Sequence, residues 1–234
     1  MNYVKLWKKY NQIAFGGLII IIILLSAVFA PYLATHDPLE YAVKDRLKGP
    51  SSEHVLGTDA FGRDIFSRII YGSRISMTIA ISVLVLCGAV GTFLGLMAGY
   101  YKSLEGIIMR IMDALMAFPS VLLALVVLAV LGSGIQNIVL ALSISYLPRV
   151  TRTIRSTVLS VKEFEHVEAA RAMGASDARI IFMYILPLCV SPLIIRLTLT
   201  MALTILSEAS LTFLGVGLSP EIPSWGNILS EGRP

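Results

Sequence analysis

The amino-acid sequence predicts an all-α polytopic membrane protein, and two observations carry this prediction. Hydrophobic residues make up 56% of the chain and charged residues only 15%, whereas soluble domains contain about 25% charged residues. The apolar residues are also gathered into runs close to the ~20 residues with which an α-helix crosses a ~30 Å hydrocarbon core. Five spans are therefore predicted, at residues 14–33, 75–100, 107–131, 135–150 and 180–206.

The first apolar run follows Lys5, Lys8 and Lys9, so a secretory signal peptide is the competing interpretation. The apolar part of a signal peptide is usually about 7–15 residues long. The run from Ile13 to Ala30 is longer than that. We therefore expect an uncleaved first span.

The amino terminus holds three lysines and no acid, and residues 149–179 hold six basic residues. The positive-inside rule places both segments in the cytoplasm, and the four spans predicted between them agree with this. Residues 35–73 and those after about 206 are then expected outside. The mixed stretch 207–219 is expected to be re-entrant or interfacial.

The second span carries glycine at every fourth position, at Gly91, Gly95 and Gly99, with Gly88 on a neighbouring face. A stripe of small residues lets two helix backbones approach closely. The stripe therefore predicts helix packing within the chain, and the alternative is a subunit interface or the wall of a pathway.

The last span contains Pro187 and Pro192, which predict a bend. It also contains Arg196, and a charge inside a span is a candidate functional residue in a pathway or gate. The alternative is that Arg196 faces a polar cavity or pairs with an acid such as Glu208, the second pathway or gating candidate.

Known catalytic and metal-binding patterns are missing from the sequence. Residues 57–64 have the glycine spacing of a phosphate-binding loop without its Lys and Ser/Thr. The three histidines, His36, His54 and His166, do not form a His-Glu-x-x-His pattern. Cys87 and Cys189 lie inside apolar runs and are typical of small buried hydrophobes. We predict no catalytic residue, no metal site and no nucleic-acid binding.

The charged segment before the last span predicts a helix, an elbow and a second helix. Ser160 and Glu163 have the spacing of a capping box, Gly174 suits the left-handed position that ends a helix, and Ser176 can cap the next one. The apolar side of the first helix is expected at Phe164, Val167, Ala170 and Met173. The pattern predicts a lever in which a partner that pushes the short helix moves the attached span; the alternative is an ordinary interfacial helix.

This segment resembles the EAA motif of binding-protein-dependent ABC importer permeases. Glu168, Ala169 and Ala170 are followed at the family's spacing by Gly174 and by Leu186-Pro187, and Tyr184 stands where the motif has Ile. Further stretches are similar to the dipeptide, oligopeptide and nickel branch, and within it to the "C" permease. They are residues 6–8, 54–59, 62–68, 71–76, Asp113, 118–119, 208–215 and 223–226.

The resemblance implies a type I ABC importer permease-like helix bundle. Residues 1–73 would hold the amino-terminal tail, first span and external loop, and residues 74–234 the permease core, with a coupling helix at about 160–174. Glu168, Ala169, Ala170, Gly174 and Pro187 would couple the permease to the ATPase. Glu168 would either reach a basic residue of that partner or only pair with Arg171. Family members have a sixth span, which this five-span chain is expected to lack.

The resemblance also implies the partners and the solute class. They are a second permease subunit, two ABC ATPase subunits and an extracytoplasmic solute-binding protein, in a bacterial or archaeal cell membrane. ATP and magnesium would bind to the ATPases, and this chain would bind no cofactor. Peptides are the expected solute, with nickel or another small solute as the alternative. A secondary transporter and a purely structural subunit are the other classes considered.

Overall fold

The computed structural model describes residues 3–232, with side chains from residue 14 onward. Apart from one isolated β-bridge between Thr58 and Asp64, these residues form helices, turns and loops but no strand. The α-helices are α1 Tyr3–Val28, α2 Ala30–Leu33, α3 Ile65–Tyr100, α4 Lys102–Met116, α5 Ser120–Leu131, α6 Ile135–Val161, α7 Glu165–Ala172, α8 Asp177–Arg179, α9 Leu186–Phe213 and α10 Trp225–Glu231. The predicted all-α class is confirmed.

Two helical segments are long and apolar enough to cross a membrane, namely Ile65–Tyr100 and the joined segment Asp177–Phe213. The pair α4 and α5 passes the same test together, but the two helices meet at an angle of 90°. The described part of the chain therefore contains two candidate spans, or three if the bent pair is one span. The predicted total of five spans stays a prediction.

The predicted span at 107–131 is wrong as a single helix. The chain leaves the helix after Met116 and re-enters it at Ser120. Pro119 has no backbone N–H and disfavours helical geometry at the residue before it, Phe118. The prediction for 207–219 is also partly wrong, because α9 continues through Phe213.

The chain divides into two compact units. One comprises the described residues up to Thr78 together with those from Leu218 onward, and the other comprises Ile79–Gly217. The predicted division at residue 73 stays a prediction.

Within the second unit, many large apolar side chains are exposed, among them Phe93, Val130, Phe182 and Ile195. Soluble monomers rarely expose so much apolar surface in continuous patches. Lipid tails would cover such side chains without cost, which agrees with a protein built for the bilayer.

The glycine stripe of α3 lies against α6. A Cβ added at Gly91 would lie 2.8 Å from Val150 Cβ, one at Gly95 would lie 2.6 Å from Ile154 Cβ, and one at Gly99 would lie 2.6 Å from Val158 Cβ. Glycines and branched residues both recur every fourth position, so a ridge of α6 fills a groove of α3. Gly88 faces α9 instead, with Leu197 Cδ1 3.2 Å from the position of a Cβ.

In the first unit, the long loop between α2 and α3 is held to α10 by a buried guanidinium. Arg63 donates from Nε to Asp59 Oδ2 at 2.7 Å and from Nη2 to Glu231 Oε2 at 2.7 Å. The nearby Asp64 is buried, which opposes its ionisation. However, the backbone N–H of Ser67, the His54 ring and the Ser67 hydroxyl outweigh burial and lower the pKa of Asp64. Asp64 is therefore a carboxylate at neutral pH.

Replacing Gly95 with alanine is expected to lower the thermal stability of the protein. The new methyl group would overlap Ile154 Cβ and the Thr151 carbonyl oxygen, which lies 2.8 Å away, and overpacking of this kind costs about 1–3 kcal/mol. The matched control is Gly106→Ala on α4, where a Cβ meets no atom within 4 Å and alanine adds helix propensity. The unfolding midpoints of both variants, measured in the same detergent, test this prediction. A Tm of Gly95→Ala that rises as much as that of Gly106→Ala would contradict the tight contact.

Candidate functional site

The segment that precedes α7 differs from the sequence prediction. The predicted capping box at Ser160 and Glu163 is wrong, because α6 continues to Val161. The Ser160 hydroxyl donates to the Ser156 carbonyl one turn earlier, as serines inside helices commonly do. The buried Val158 and Val161 favour continuation of α6 because their side chains pack in the core.

The helix α7 begins instead at Glu165, after Phe164 in an extended conformation, and ends at Ala172. Its buried face consists of Val167 and Ala170. Phe164 and Met173, also predicted for this face, are exposed, with Met173 at 80% of its full accessibility. Two of the four residues predicted for the apolar side of α7 are therefore buried, and the other two are exposed.

Two neighbouring alanines of α7 have different environments. Ala169 is exposed, whereas Ala170 is 1% accessible. Ala170 therefore packs within the chain, and only Ala169 is available to another surface.

Glu168 is exposed beside Ala169. Among the residues whose side chains the structure describes, its carboxylate has no ion pair. The alternative in which Glu168 pairs with Arg171 is therefore wrong. Glu168 and its neighbour Ala169 are thus both exposed on α7.

A glycine elbow ends α7, and the left-handed backbone predicted for Gly174 is confirmed by its φ of +81°. The N–H of Gly174 donates to the Arg171 carbonyl at 3.0 Å, and the N–H of Ala175 donates to the Ala170 carbonyl at 3.1 Å. These two bonds form a Schellman motif, which satisfies carbonyls that a helix end leaves free. A Cβ at Gly174 would meet no atom within 4 Å, so only the backbone conformation demands glycine here.

The helix after the elbow begins where it was predicted to begin, with Ser176 at the cap position. The Ser176 side chain makes no capping hydrogen bond. Asp177 accepts a hydrogen bond from the Tyr100 hydroxyl at 2.7 Å instead. The end of α3 is thereby joined to the residue that follows the elbow.

A π-helical turn at Ile180–Ile185 precedes the prolines, and the bend predicted from Pro187 and Pro192 stays a prediction. Leu186 donates its N–H to the Ile181 carbonyl, five residues back. Pro187 follows in the first turn of α9, where its missing N–H is tolerated. Such turns are frequent at functional sites.

One apolar cluster underlies the whole segment. It contains a side chain of α7, Val167, together with residues of α3, α6, the π-helical turn and α9. Its buried members are Leu96, Ile154, Val158, Val161, Val167, Ile180, Ile181, Ile185 and Cys189. The buried face of α7 therefore shares its packing with the base of the long apolar helix.

The two pathway candidates do not pair with each other. Arg196 donates from Nε to the Thr153 hydroxyl of α6 at 3.1 Å. Glu208 is fully buried and accepts from the Thr212 hydroxyl at 3.1 Å. Twelve residues separate them on one helix, a rise of about 18 Å, so the alternative in which Arg196 pairs with Glu208 is wrong.

The chain matches two family models. Residues 91–233 match the model of the binding-protein-dependent transport system inner membrane component. Residues 9–50 match the model of the N-terminal transmembrane domain of oligopeptide transport permease C. The first match contains α7, the elbow, Arg196 and Glu208.

Full-length relatives agree with the family models. A dipeptide transport system permease protein, DppC, of Alkalihalophilus pseudofirmus is 44% identical over 227 residues, which cover 96% of this chain and 75% of the relative. A glutathione transport system permease protein, GsiD, of Pectobacterium atrosepticum is 42% identical over 234 residues, covering 98% and 78%. A putative peptide transport system permease protein of Brucella abortus is 41% identical over 225 residues, covering 96% and 76%.

The chain belongs to the binding-protein-dependent transport system inner membrane components. The predicted family, the permeases of ABC importers, is confirmed, and the protein is a multi-pass protein of the inner membrane.

The permease also contains ionic contacts that the sequence did not reveal. Arg152 pairs with Asp113, and Arg155 pairs with Glu105, which ties α6 to α4. These residues line an open cleft of about 640 Å³. The sequence indicated only that the two arginines, three residues apart on α6, lie on one helix face. It did not indicate their partners, which are about 40–50 positions away along the chain.

A buried polar contact between α6 and α9 was likewise missed. The Tyr146 and Ser207 hydroxyls lie 2.7 Å apart, and the Tyr146 hydroxyl also donates to the Leu203 carbonyl at 3.3 Å. Ser207 is the neighbour of Glu208, so this part of α9 carries polar groups into a buried position.

Proposed function

We propose that this permease forms part of the translocation pathway of an ATP-driven peptide importer and couples that pathway to ATPase subunits. One observation carries the coupling: α7 is exposed on one face, while its other face shares an apolar cluster with the base of α9. A helix of this kind can be pushed from outside and transmit the push to a candidate membrane span.

The residues of α7 and the elbow have different roles in the proposed coupling. Glu168 and Ala169 are exposed and form the surface that meets the ATPase, where the small Ala169 permits close approach. Ala170 packs inward and fixes α7 to the cluster. Gly174 sets the angle of the elbow, and Pro187 follows the π-helical turn at the base of α9.

Partners and sidedness follow from the family. The proposed assembly contains a second permease subunit, two ABC ATPase subunits and an extracytoplasmic solute-binding protein. The amino terminus and α7 lie in the cytoplasm under this proposal, because the amino terminus holds three lysines and no acid and residues 149–179 hold six basic residues. This chain is non-catalytic under the same proposal, and ATP and magnesium bind to the ATPases.

Peptides are the proposed solute class. The three relatives compared above are named for peptide, dipeptide and glutathione transport, and glutathione is itself a small peptide. Arg196 and Glu208 are the proposed pathway or gating residues, since both are ionisable groups within a candidate span.

Replacing Gly174 with valine is expected to uncouple ATP hydrolysis from uptake while membrane insertion survives. A β-branched residue pays roughly 1–2 kcal/mol to adopt a left-handed backbone, and it relieves that strain by changing the elbow angle. Uptake per transporter, measured in proteoliposomes of the whole complex, should fall well below that of the original chain while ATP hydrolysis continues. Gly174→Asn is the matched control because asparagine tolerates this conformation, and normal uptake by Gly174→Val would contradict the lever.

Replacing Ala169 with tryptophan is expected to abolish co-purification of the ATPase subunits. A bulky ring on the exposed face of α7 would hold the partner away without touching the buried Val167 and Ala170. The same substitution at Ala178, exposed on α8, is the control. Equal recovery of ATPase with both variants would show that α7 is not the docking helix.

Uptake assays with the binding protein present distinguish the solute classes. ATP-dependent accumulation of a labelled dipeptide is expected in proteoliposomes, with competition by unlabelled dipeptide and with no accumulation of radioactive nickel. Nickel accumulation without peptide uptake would replace the peptide assignment with the alternative one.

A further inference from the structure

The loop between α2 and α3 brings together three side chains that are far apart in the sequence. His54 Nδ1 lies 3.0 Å from Asp64 Oδ1, and His36 Nδ1 lies 3.9 Å from the same oxygen. One ligand atom from each of the three residues lies within 4.8 Å of the others. The two imidazole rings are 4.7 Å apart at their centroids.

The backbone around both histidines is fixed by hydrogen bonds. The N–H of His36 donates to the Ser67 hydroxyl at 3.0 Å. The N–H of His54 donates to the Ser51 hydroxyl at 3.0 Å, and the His54 carbonyl accepts from the N–H groups of Ser51 and Gly57. The rings therefore converge because the loop holds them there, which is the pre-organisation that a ligand site needs.

The carboxylate of Asp64 divides its two oxygens between structure and histidines. Its Oδ2 accepts the Ser67 N–H at 2.8 Å and the Thr35 hydroxyl at 3.4 Å. Its Oδ1 faces the two imidazoles. Asp64 and His54 are buried, and the His36 side chain is 31% accessible, so one member of the group can be reached from solvent.

A small cavity of about 170 Å³ opens beside the cluster. Besides the three residues it is lined by four further acidic side chains, those of Asp37, Glu40, Asp45 and Glu53. Lys48 pairs with Asp45, and the remaining acids leave the entrance with negative charge. A concave surface of one sign raises the local concentration of counter-ions, here cations.

We propose that His36, His54 and Asp64 bind a divalent transition-metal ion of the zinc class. Two imidazoles and one carboxylate suit Zn²⁺ and its neighbours Co²⁺ and Ni²⁺, whereas Ca²⁺ and Mg²⁺ require oxygen ligands. Tetrahedral ligands at about 2.0–2.2 Å from zinc stand roughly 3.3–3.5 Å apart. The three ligand atoms lie within 4.8 Å of one another, so their side chains would have to draw together around the ion, and all three residues line the cavity.

The bound ion would join three segments of the loop, namely the residues around 36, 54 and 64. This proposal does not depend on the proposed coupling or on the proposed solute. The alternative role for the same residues is a buried histidine–carboxylate hydrogen bond that needs no ion.

Metal titration of the full-length chain tests the proposal. The protein is purified in detergent with an affinity tag free of histidine, stripped with a chelator, and titrated with Co²⁺ or Zn²⁺ alone. Binding of one equivalent with micromolar or tighter Kd is expected, with the visible absorption of Co²⁺ in a nitrogen–oxygen site. His36→Gln and His54→Gln should each weaken binding at least about tenfold, since ligand-shell changes cost 10–100-fold.

The chain offers its own control, because His166 is its third and last histidine and lies on α7. His166→Gln should bind the metal as the original chain does. Even if His54→Gln fails to fold, His36→Gln remains a valid test, because the hydrogen bond that places His36 comes from its backbone. Stoichiometric binding that survives in His36→Gln, or no binding tighter than millimolar in the unaltered chain, would overturn the metal site.

Discussion

The close approach of α3 and α6 is the contact on which the rest of the second unit depends. Gly91, Gly95 and Gly99 add no side chain on the α3 surface, and a ridge of branched residues on α6 packs directly against the α3 backbone. Ile154 and Val158 belong both to this ridge and to the cluster beneath α7. The same side chains thus hold two long helices together and support the short helix that is proposed to meet the ATPase. Close-packed interiors transmit displacement because they are stiff.

Sequence patterns predicted the features that depend on local backbone chemistry. The left-handed Gly174 was predictable because almost no other residue adopts that conformation cheaply. The glycine stripe was predictable as a packing surface because a row of residues without side chains in a helix mainly serves to let another helix approach closely. Family resemblance then supplied the transport class, which no periodicity could have given.

The sequence was less informative where distant parts of the chain compete with local signals. Ser160 has the composition of a helix start, but burial of Val158 and Val161 extends α6 past it. The pairs of Arg152 and Arg155 with α4 cannot be foreseen, since any of several acids could have been the partner. The cluster of His36, His54 and Asp64 is of the same kind: each residue is unremarkable in sequence, and only the folded loop makes them neighbours.

The π-helical turn at Ile180–Ile185 also changes which residues of the long apolar helix lie on the same face. In a regular α-helix, residues five apart are rotated by about 140°, yet Ile180 and Ile185 are both buried in one cluster. The wider turn absorbs one residue, so the faces before and after it are out of phase. A helical wheel drawn through residues 177–213 would therefore assign lipid-facing positions wrongly on one side of the turn. The residues that adjoin the elbow and the pathway candidates of α9 therefore need separate helical wheels, one for each side of the π-helical turn.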